Sequence, residues 1–350
     1  MIYVTDNFPG RELKLDGKKH LYFGGTSYLG LQTNTVFRET LIRNLKKYGT
    51  NNGASRNSNI RFSVYGQAEA HLAQMVGSES CVTLSSGYLA GQFVVQYFNT
   101  ARYKLFYAPN THSALHLATN KKQAVTFASL NIAVREHLAG KSKSIPVVLL
   151  DSIDFSGAHY PHFEGLKTLP LKETILIADD SHGLGVVGSK GGGVFRILEA
   201  LGAKELIVCS SLGKGFGIQG GAIFASKSRT AELVKTPFFG GASPTAPANL
   251  ATLLECEGLF IQKRKRLQQH IDYFLKSLKS PRNFSYMQNH PAFSYSNALL
   301  TEYLREHKII VTDFNYPNKQ SGLKNRIVLS AQHRKSDIEV LAHCIGLFPF

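Results

Sequence analysis

One lysine stands in an unusual setting. Lys214 lies in the stretch Cys209-Ser-Ser-Leu-Gly-Lys-Gly-Phe-Gly-Ile-Gln-Gly-Gly221, with glycines at 213, 215, 217, 220 and 221. Glycines let backbone approach a bulky ligand closely. A lysine in so crowded a place loses solvent, which lowers its pKa and frees the amine to attack a carbonyl. A phosphate loop of the GxxxxGK[ST] kind would need Ser or Thr after the lysine, and Gly215 stands there. The plain alternative is a glycine-rich turn with a solvent-facing lysine.

Three further segments carry side chains suited to chemistry. Ile175-Leu-Ile-Ala-Asp-Asp-Ser-His-Gly-Leu-Gly-Val-Val187 delivers Asp179, Asp180 and His182 at the end of an apolar strand. Open α/β sheets bind ligands at the carboxyl ends of their strands. An acid there can hold a ring nitrogen protonated, and a histidine three residues on can meet an adjacent oxygen or ring face. Asp180 could instead cap a turn. A metal pair lacks a further ligand set at suitable spacing, so no metal is expected. Leu84-Ser-Ser-Gly-Tyr-Leu-Ala-Gly91 has the pattern of strand, tight turn and helix. Ser86, Gly87 and Tyr88 then sit at a helix start, where backbone N–H groups make a ready phosphate site. Ser-Gly is also an ordinary strand–helix turn. Pro109-Asn-Thr-His-Ser-Ala-Leu115 puts His112 just after a strand, a place where a lone histidine is more often structural.

The elements that must position these residues follow from the apolar pattern. Strands are expected at Cys81–Leu84, Lys104–Tyr107, Ala124–Ala128, Pro146–Leu150, Thr174–Ala178, Glu205–Cys209 and Ala222–Ala225. Runs this apolar, bounded by turn residues, suit strands buried on both faces. Helical stretches alternate with them, so the fold class is α/β with a mostly parallel, seven-stranded sheet flanked by helices. A long helical stretch follows from about Ala246 to Leu278. Then come His290–Tyr295, a helix around Asn297–Glu306, strands near Ile309–Thr312 and Arg326–Ser330, and a last helix from about Ser336. The expected division is an N-terminal segment 1–45 packing with a smaller α+β domain at 246–350, around a large domain at 46–245.

Composition narrows the class. The 350 residues are 43% hydrophobic and 18% charged, as in a globular protein. No apolar run approaches the ~20 residues that span a bilayer, and the first residues lack an apolar signal core. The four cysteines, Cys81, Cys209, Cys256 and Cys344, lie far apart with no CxxC, which suits a reducing compartment. The net charge of +16 fits nucleic acid, a membrane surface or anionic small molecules. The basic residues are scattered, and the densest group, Lys263 to Arg266, suits a solvated helix face. A nucleic-acid module would explain the charge and leave Asp179, His182 and Lys214 without a task.

Taken in order, the segments resemble the α-oxoamine synthase family of pyridoxal-phosphate (PLP) enzymes, within the aspartate-aminotransferase-like fold. Thr26-Ser-Tyr-Leu-Gly-Leu31 resembles the family's N-D-Y-L-G-L, and Asn52-Gly-Ala-Ser-Arg56 its G-x-G-x-R. Ser86-Gly-Tyr88 resembles the S-G-F/Y turn at the cofactor phosphate. Asp179-Asp-Ser-His-Gly183 is similar to D-D-A-H-G, and Gly213-Lys-Gly-Phe-Gly217 to the Schiff-base lysine motif. Arg326-Ile-Val-Leu-Ser-Ala-Gln-His333 resembles R-L-T-L-T-A-x-H. Lys214 follows Asp179 by 35 residues, close to the family's spacing. The resemblance implies that Lys214 holds PLP, Asp179 meets the pyridinium nitrogen, His182 the phenolic oxygen, and His112 stacks on the ring. It further implies phosphate contacts from Ser86, Gly87, Tyr88 and Ser211, and a carboxylate ligand in Arg326.

Three segments depart from the family's pattern. Thr26 stands where the family has a substrate-contacting Asn. Asp151-Ser-Ile-Asp-Phe-Ser-Gly-Ala-His159 replaces E-x-x-F-S-M-D-G-D. Phe239-Gly-Gly-Ala-Ser-Pro244 replaces F-S-T-x-x-P-P, leaving Ser243 or Thr245 to supply the phosphate-binding hydroxyl. The implied protein is a cytoplasmic homodimer that condenses an amino acid with an acyl-CoA or acyl-carrier thioester, with loss of CO2. The nearest subfamily by the K-G-F-G segment resembles the 8-amino-7-oxononanoate synthases, which use L-alanine and a pimeloyl thioester in biotin synthesis. The alternative on the same fold is an aminotransferase. No nucleic acid or membrane partner is expected.

Overall fold

The computed structural model describes residues 2–15, 17–117, 124–315 and 323–350. The chain divides into two compact units. One comprises Met1–Glu39, Phe155–Gly157 and Gly258–Phe350; the other comprises Thr40–Asp154 and Ala158–Glu257.

The larger unit is built on a six-stranded sheet among the described residues. Its order is Ser80–Leu84, Gly221–Ala225, Glu205–Ser211, Ile175–Asp179, Ile145–Asp151, Tyr103–Tyr107. The last four of these strands are mutually parallel. Gly221–Ala225 runs antiparallel to both its neighbours, so the sheet is mixed. Ile175–Asp179 and Gly221–Ala225 are buried at every position. This explains why their sequences are continuously apolar rather than alternating. The helix Gly87–Phe98 packs on Glu205–Ser211 and Gly221–Ala225. The helix Val64–Val76 lies against Ser80–Leu84 and the helix Pro247–Glu255. Burying such strands and helix faces removes apolar area from water at ~25 cal/mol per Å2, the main force behind the layer.

Some sequence expectations need correction. Ala124–Ala128 is not a strand: Phe127–Ala139 is a helix that starts inside it. Thr126 caps that helix, its hydroxyl accepting from Ser129 N–H while the Ser129 side chain accepts from Thr126 N–H. This local capping outweighs the β-leaning run Ala-Val-Thr-Phe-Ala. The seventh strand of the expected sheet is therefore absent among the described residues. The helical stretch after Ala246 is two helices, Pro247–Glu255 and Glu257–Ser277, parted at Cys256.

The smaller unit also carries six strands among the described residues. Their order is Glu12–Leu15, Lys18–Phe23, Ile309–Asn315, Leu323–Val328, Ala292–Ser294, Ser285–Tyr286. Only Lys18–Phe23 and Ile309–Asn315 pair in parallel. The helices Ala298–Glu306 and Lys335–Leu347 belong to this unit. Arg326 lies inside the strand Leu323–Val328 rather than at its start, facing Ser294 on one side and Thr312 on the other. The strand ends two residues before Ser330, whose N–H turns to the His333 ring at 2.9 Å.

Candidate active site

Register brings the chemistry to one edge of the larger unit's sheet. Asp151, Asp179 and Cys209 are direct partners across three adjacent parallel strands. The first two strands therefore end level, the third runs two residues further, and the turns that follow lie at the same end of the sheet. Ser211 ends one strand and caps the short turn of helix Leu212–Phe216, which carries Lys214. Lys214 Nζ lies 2.8 Å from His182 Nε2. Both side chains are half-buried.

The two neighbouring acids have separate tasks. The Asp180 carboxyl is fully enclosed. It accepts from Ser152 Oγ at 2.6 Å and from Val194 N–H at 3.0 Å. A Cβ on Gly183 or Gly193 would fall within 2.1 Å of its oxygens, so glycine is required on both sides of this post. Burial pushes the Asp180 carboxyl up to about 7, against the pull of those two hydrogen bonds. Asp180 therefore pins the 183–194 loop. Asp179 accepts from Ser181 N–H at 2.9 Å, and Ser181 Oγ accepts from Ser211 N–H at 2.9 Å. That chain of bonds ties the acid-bearing strand end to the lysine-bearing one.

His112 follows the strand Tyr103–Tyr107. Its Nδ1 accepts from Ala114 N–H at 3.1 Å, which leaves the ring neutral with its proton on Nε2. Burial lowers its pKa most; the nearby Asp179 charge opposes this, while Lys214 and His116 add to the lowering. His112 N–H donates to Asp151 Oδ1 at 3.2 Å. The Asp151 carboxyl is pushed well above the usual carboxylate range, first by burial and then by the Asp179 charge. Sequence reasoning placed Asp151 only in a departing segment. Its signal was available, since an acid closes the apolar run Pro146–Leu150 as Asp179 closes its own. Ser181 was missed altogether, because nothing in a lone serine marks it as a link between strands.

A second group of donors gathers beside the lysine turn. The helix Gly87–Phe98 begins at Ser86, whose Oγ accepts from Leu89 N–H at 3.1 Å. The first N–H groups of such a helix have no intrahelical acceptor and attract anions. A Cβ on Gly87 would lie 2.7 Å from Ser211 Cα, and one on Gly221 would lie 2.1 Å from Ser86 O. The absence of those two carbons lets the Ser86 and Ser211 turns close on each other. Ser211 Oγ accepts from Gly213 N–H at 3.2 Å. Ser243 O accepts from Ser85 N–H at 3.0 Å, placing exposed Ser243 beside the same turn. Thr245 Oγ1 donates to Leu84 O at 2.5 Å and is buried, so its hydroxyl is committed to the fold. Tyr88 is exposed. Hydroxyls and helix-start N–H groups beside an amine, a buried acid and a neutral histidine form a donor set that fits a phosphorylated pyridine aldehyde.

Arg326 and Thr26 belong to the smaller unit. Arg326 is half-buried; its guanidinium carbon lies 3.9 Å from the centre of the Phe155 ring, and Nε is buried without a hydrogen-bond partner among the described residues. Burial lowers its pKa. Thr26 is exposed, its carbonyl accepting from Tyr28 N–H at 3.0 Å. Among the described residues, no group of three or more His, Cys, Asp or Glu is placed to hold a metal ion. No helix among them is long and apolar enough to cross a membrane.

Known proteins share this layout. The 8-amino-7-oxononanoate synthase of Thermosipho melanesiensis is 27% identical, the match covering 97% of this chain and 90% of the relative. That of Chromobacterium violaceum is 28% identical over 95% and 90%. Among solved structures, Sphingomonas wittichii serine palmitoyltransferase superposes with a TM-score of 0.77 at 16% identity, over 98% of this chain and 90% of that one. The 8-amino-7-oxononanoate synthase of Francisella tularensis gives 0.68 at 19% identity, over 93% and 97%. These two establish the fold. The family model "Aminotransferase class I and II" matches residues 23–345. The chain belongs to that family and is a PLP-dependent enzyme; the 8-amino-7-oxononanoate synthases above are what it is similar to.

Proposed function

We propose that this member of the aminotransferase class I and II family joins an amino acid to an acyl thioester with loss of CO2, in the manner of the 8-amino-7-oxononanoate synthases. L-Alanine is the first amino acid to try. In the reaction a bond forms between the amino-acid Cα and the acyl carbon, the C–S bond breaks, and the thiol and CO2 leave. The observation that carries the reading is the 2.8 Å contact of Lys214 Nζ with His182 Nε2, on the sheet edge that also bears Asp179.

Each side chain then has a task. Lys214 would hold the cofactor through its amine and would take the proton from the amino-acid Cα. PLP, when bound, supplies an electron-poor ring that accepts the electron pair left at Cα. Asp179 keeps a proton on the ring nitrogen through a charge-assisted hydrogen bond. His182 donates to the phenolic oxygen. Neutral His112 packs on the ring face without adding charge that would oppose Asp179. Ser86, Gly87, Tyr88, Ser211 and Ser243 hold the phosphate by hydroxyl and backbone N–H donors. Arg326 binds the substrate carboxylate with its planar fork, and Thr26 lines the substrate. The enzyme works as a homodimer in the cytoplasm.

The test is a product assay with L-alanine and a panel of acyl-CoA and acyl-carrier thioesters. Thiol and CO2 released together support the condensation. Keto acid formed with neither of them would make the enzyme an aminotransferase, and the departures at Thr26, 151–159 and 239–245 would then mark the change.

A further inference from the structure

Phe155 sits within the segment where the chain departs most from the family's pattern. Its backbone has φ of 61°, the left-handed region, and Gly157 two residues on has φ of 81°. A bulky side chain rarely adopts that conformation, and such residues collect where the surrounding structure holds them for a purpose. The turn delivers the Phe155 ring onto the Arg326 guanidinium at 3.9 Å. Behind the ring stands His290, fully buried, with ring centres 5.9 Å apart at 73°. Tyr28, also fully buried, meets the His290 ring at 5.5 Å and 71°. His290 Nδ1 accepts from Ala292 N–H at 3.3 Å, which helps to fix the imidazole in contact with both rings. All these groups lie in the smaller unit.

The arrangement is a poor way to store stability. Arg326 Nε is buried and has no hydrogen-bond partner among the described residues, so one donor is withheld from water without return. Nε is shut off from solvent, and the Phe155 ring lies over the guanidinium face. A ligand carboxylate is then left the guanidinium edge, where two parallel hydrogen bonds are possible.

We propose that Phe155 is a positioning residue for substrate binding: stacked on Arg326 and backed by His290 and Tyr28, it sets the plane in which the guanidinium receives the amino-acid carboxylate. This rests on the reading of Arg326 as the carboxylate ligand. Phe155 touches no reacting atom; it acts through the arginine, by the attraction of a cation for an aromatic face.

The experiment compares wild type with Phe155→Leu, Phe155→Tyr and Arg326→Lys, all loaded with cofactor. Amino-acid affinity is read from the change that the amino acid causes in the visible absorbance of the bound cofactor. Amino-acid KM and kcat are measured at saturating thioester, and cofactor affinity by equilibrium dialysis. Phe155→Leu keeps bulk and loses the aromatic face. It should weaken amino-acid binding roughly three- to thirtyfold, with kcat and cofactor affinity within about twofold of wild type. Phe155→Tyr should restore wild-type binding. Phe155→Met carries the same expectation as Phe155→Leu should the latter fail to fold. Wild-type amino-acid affinity in Phe155→Leu, with Arg326→Lys impaired, overturns the proposal alone. So does an equal loss of kcat and cofactor affinity, the mark of a structural role. Wild-type affinity in Arg326→Lys would instead overturn the carboxylate reading beneath it.

Discussion

A single methyl group at Gly87 should break the phosphate cradle. The Cβ of Gly87→Ala would fall 2.7 Å from both Cα and Cβ of Ser211 and 2.8 Å from its backbone nitrogen. Ordinary carbon contacts lie near 3.5–4 Å, so the Ser86 and Ser211 turns must part by roughly 1 Å. Neither can yield by swinging a flexible side chain, because the obstruction is backbone. Ser211 N–H is held by Ser181 Oγ, and Ser86 caps its helix. Overpacking of this kind costs about 1–3 kcal/mol. The loss should appear chiefly in cofactor affinity, because the turns can separate without unfolding the sheet. A penalty of ~1.4–2.7 kcal/mol is roughly a ten- to hundredfold rise in cofactor Kd. Equilibrium dialysis with PLP gives Kd, and urea unfolding of the cofactor-free protein gives stability. Gly66→Ala is the control: its site in the helix Val64–Val76 has nothing within 4 Å of the new Cβ. That change should leave cofactor affinity alone and stabilise the helix by ~0.5–1 kcal/mol. A Gly87→Ala protein that binds PLP as wild type does would refute the reasoning that places the phosphate between these turns.

Other expectations are as direct. Asp179→Asn should keep the cofactor bound and lower turnover roughly ten- to a hundredfold or more, through loss of a charge-assisted hydrogen bond, whereas a variant within a few-fold of wild type would free Asp179 of that role. His333 donates from Nε2 to Tyr22 O at 2.9 Å, accepts from Ser330 N–H, and has its pKa pushed down to about 4 by burial. The folded state thus binds the neutral ring, so this contribution to stability is full above the unfolded value near 6.5 and is lost as pH falls toward 4. The shift corresponds to about 3 kcal/mol; urea midpoints at pH 7.5 and 4.5 should differ less in His333→Gln than in wild type, and an unchanged slope would remove His333 as the cause. Turnover on an anionic thioester should fall as salt rises, because a net charge of +16 steers it, with a rate independent of salt counting against steering.

The larger unit was legible where one physical signal dominated. Ile175–Ala178, before the closing Asp179, and Gly221–Ala225 are continuously apolar because both faces are covered, and such runs announce themselves. Ala124–Ala128 carries the same kind of residues, and there a capping hydroxyl at Thr126 decides for helix. That competition is settled by a few hydrogen bonds, which composition does not reveal. Lys214, Asp179 and His182 stood out by type and neighbours, whereas His112 gained a role only through the family resemblance. The separate tasks of Asp179 and Asp180 did not, because they depend on which oxygen meets Ser152, Val194 or Ser181. Ser181 and the stack of Phe155 on Arg326 required a side-chain link between strands and a turn of positive φ at residue 155, neither of which a periodic pattern encodes.

The most direct test concerns Lys214. The protein loaded with PLP is reduced with borohydride, digested, and mapped by mass spectrometry. The account predicts the reduced cofactor on the peptide containing Lys214, a visible absorbance band that vanishes on reduction, and neither adduct nor turnover in Lys214→Ala. A reduced cofactor on any other lysine, or an undiminished adduct in Lys214→Ala, would contradict it.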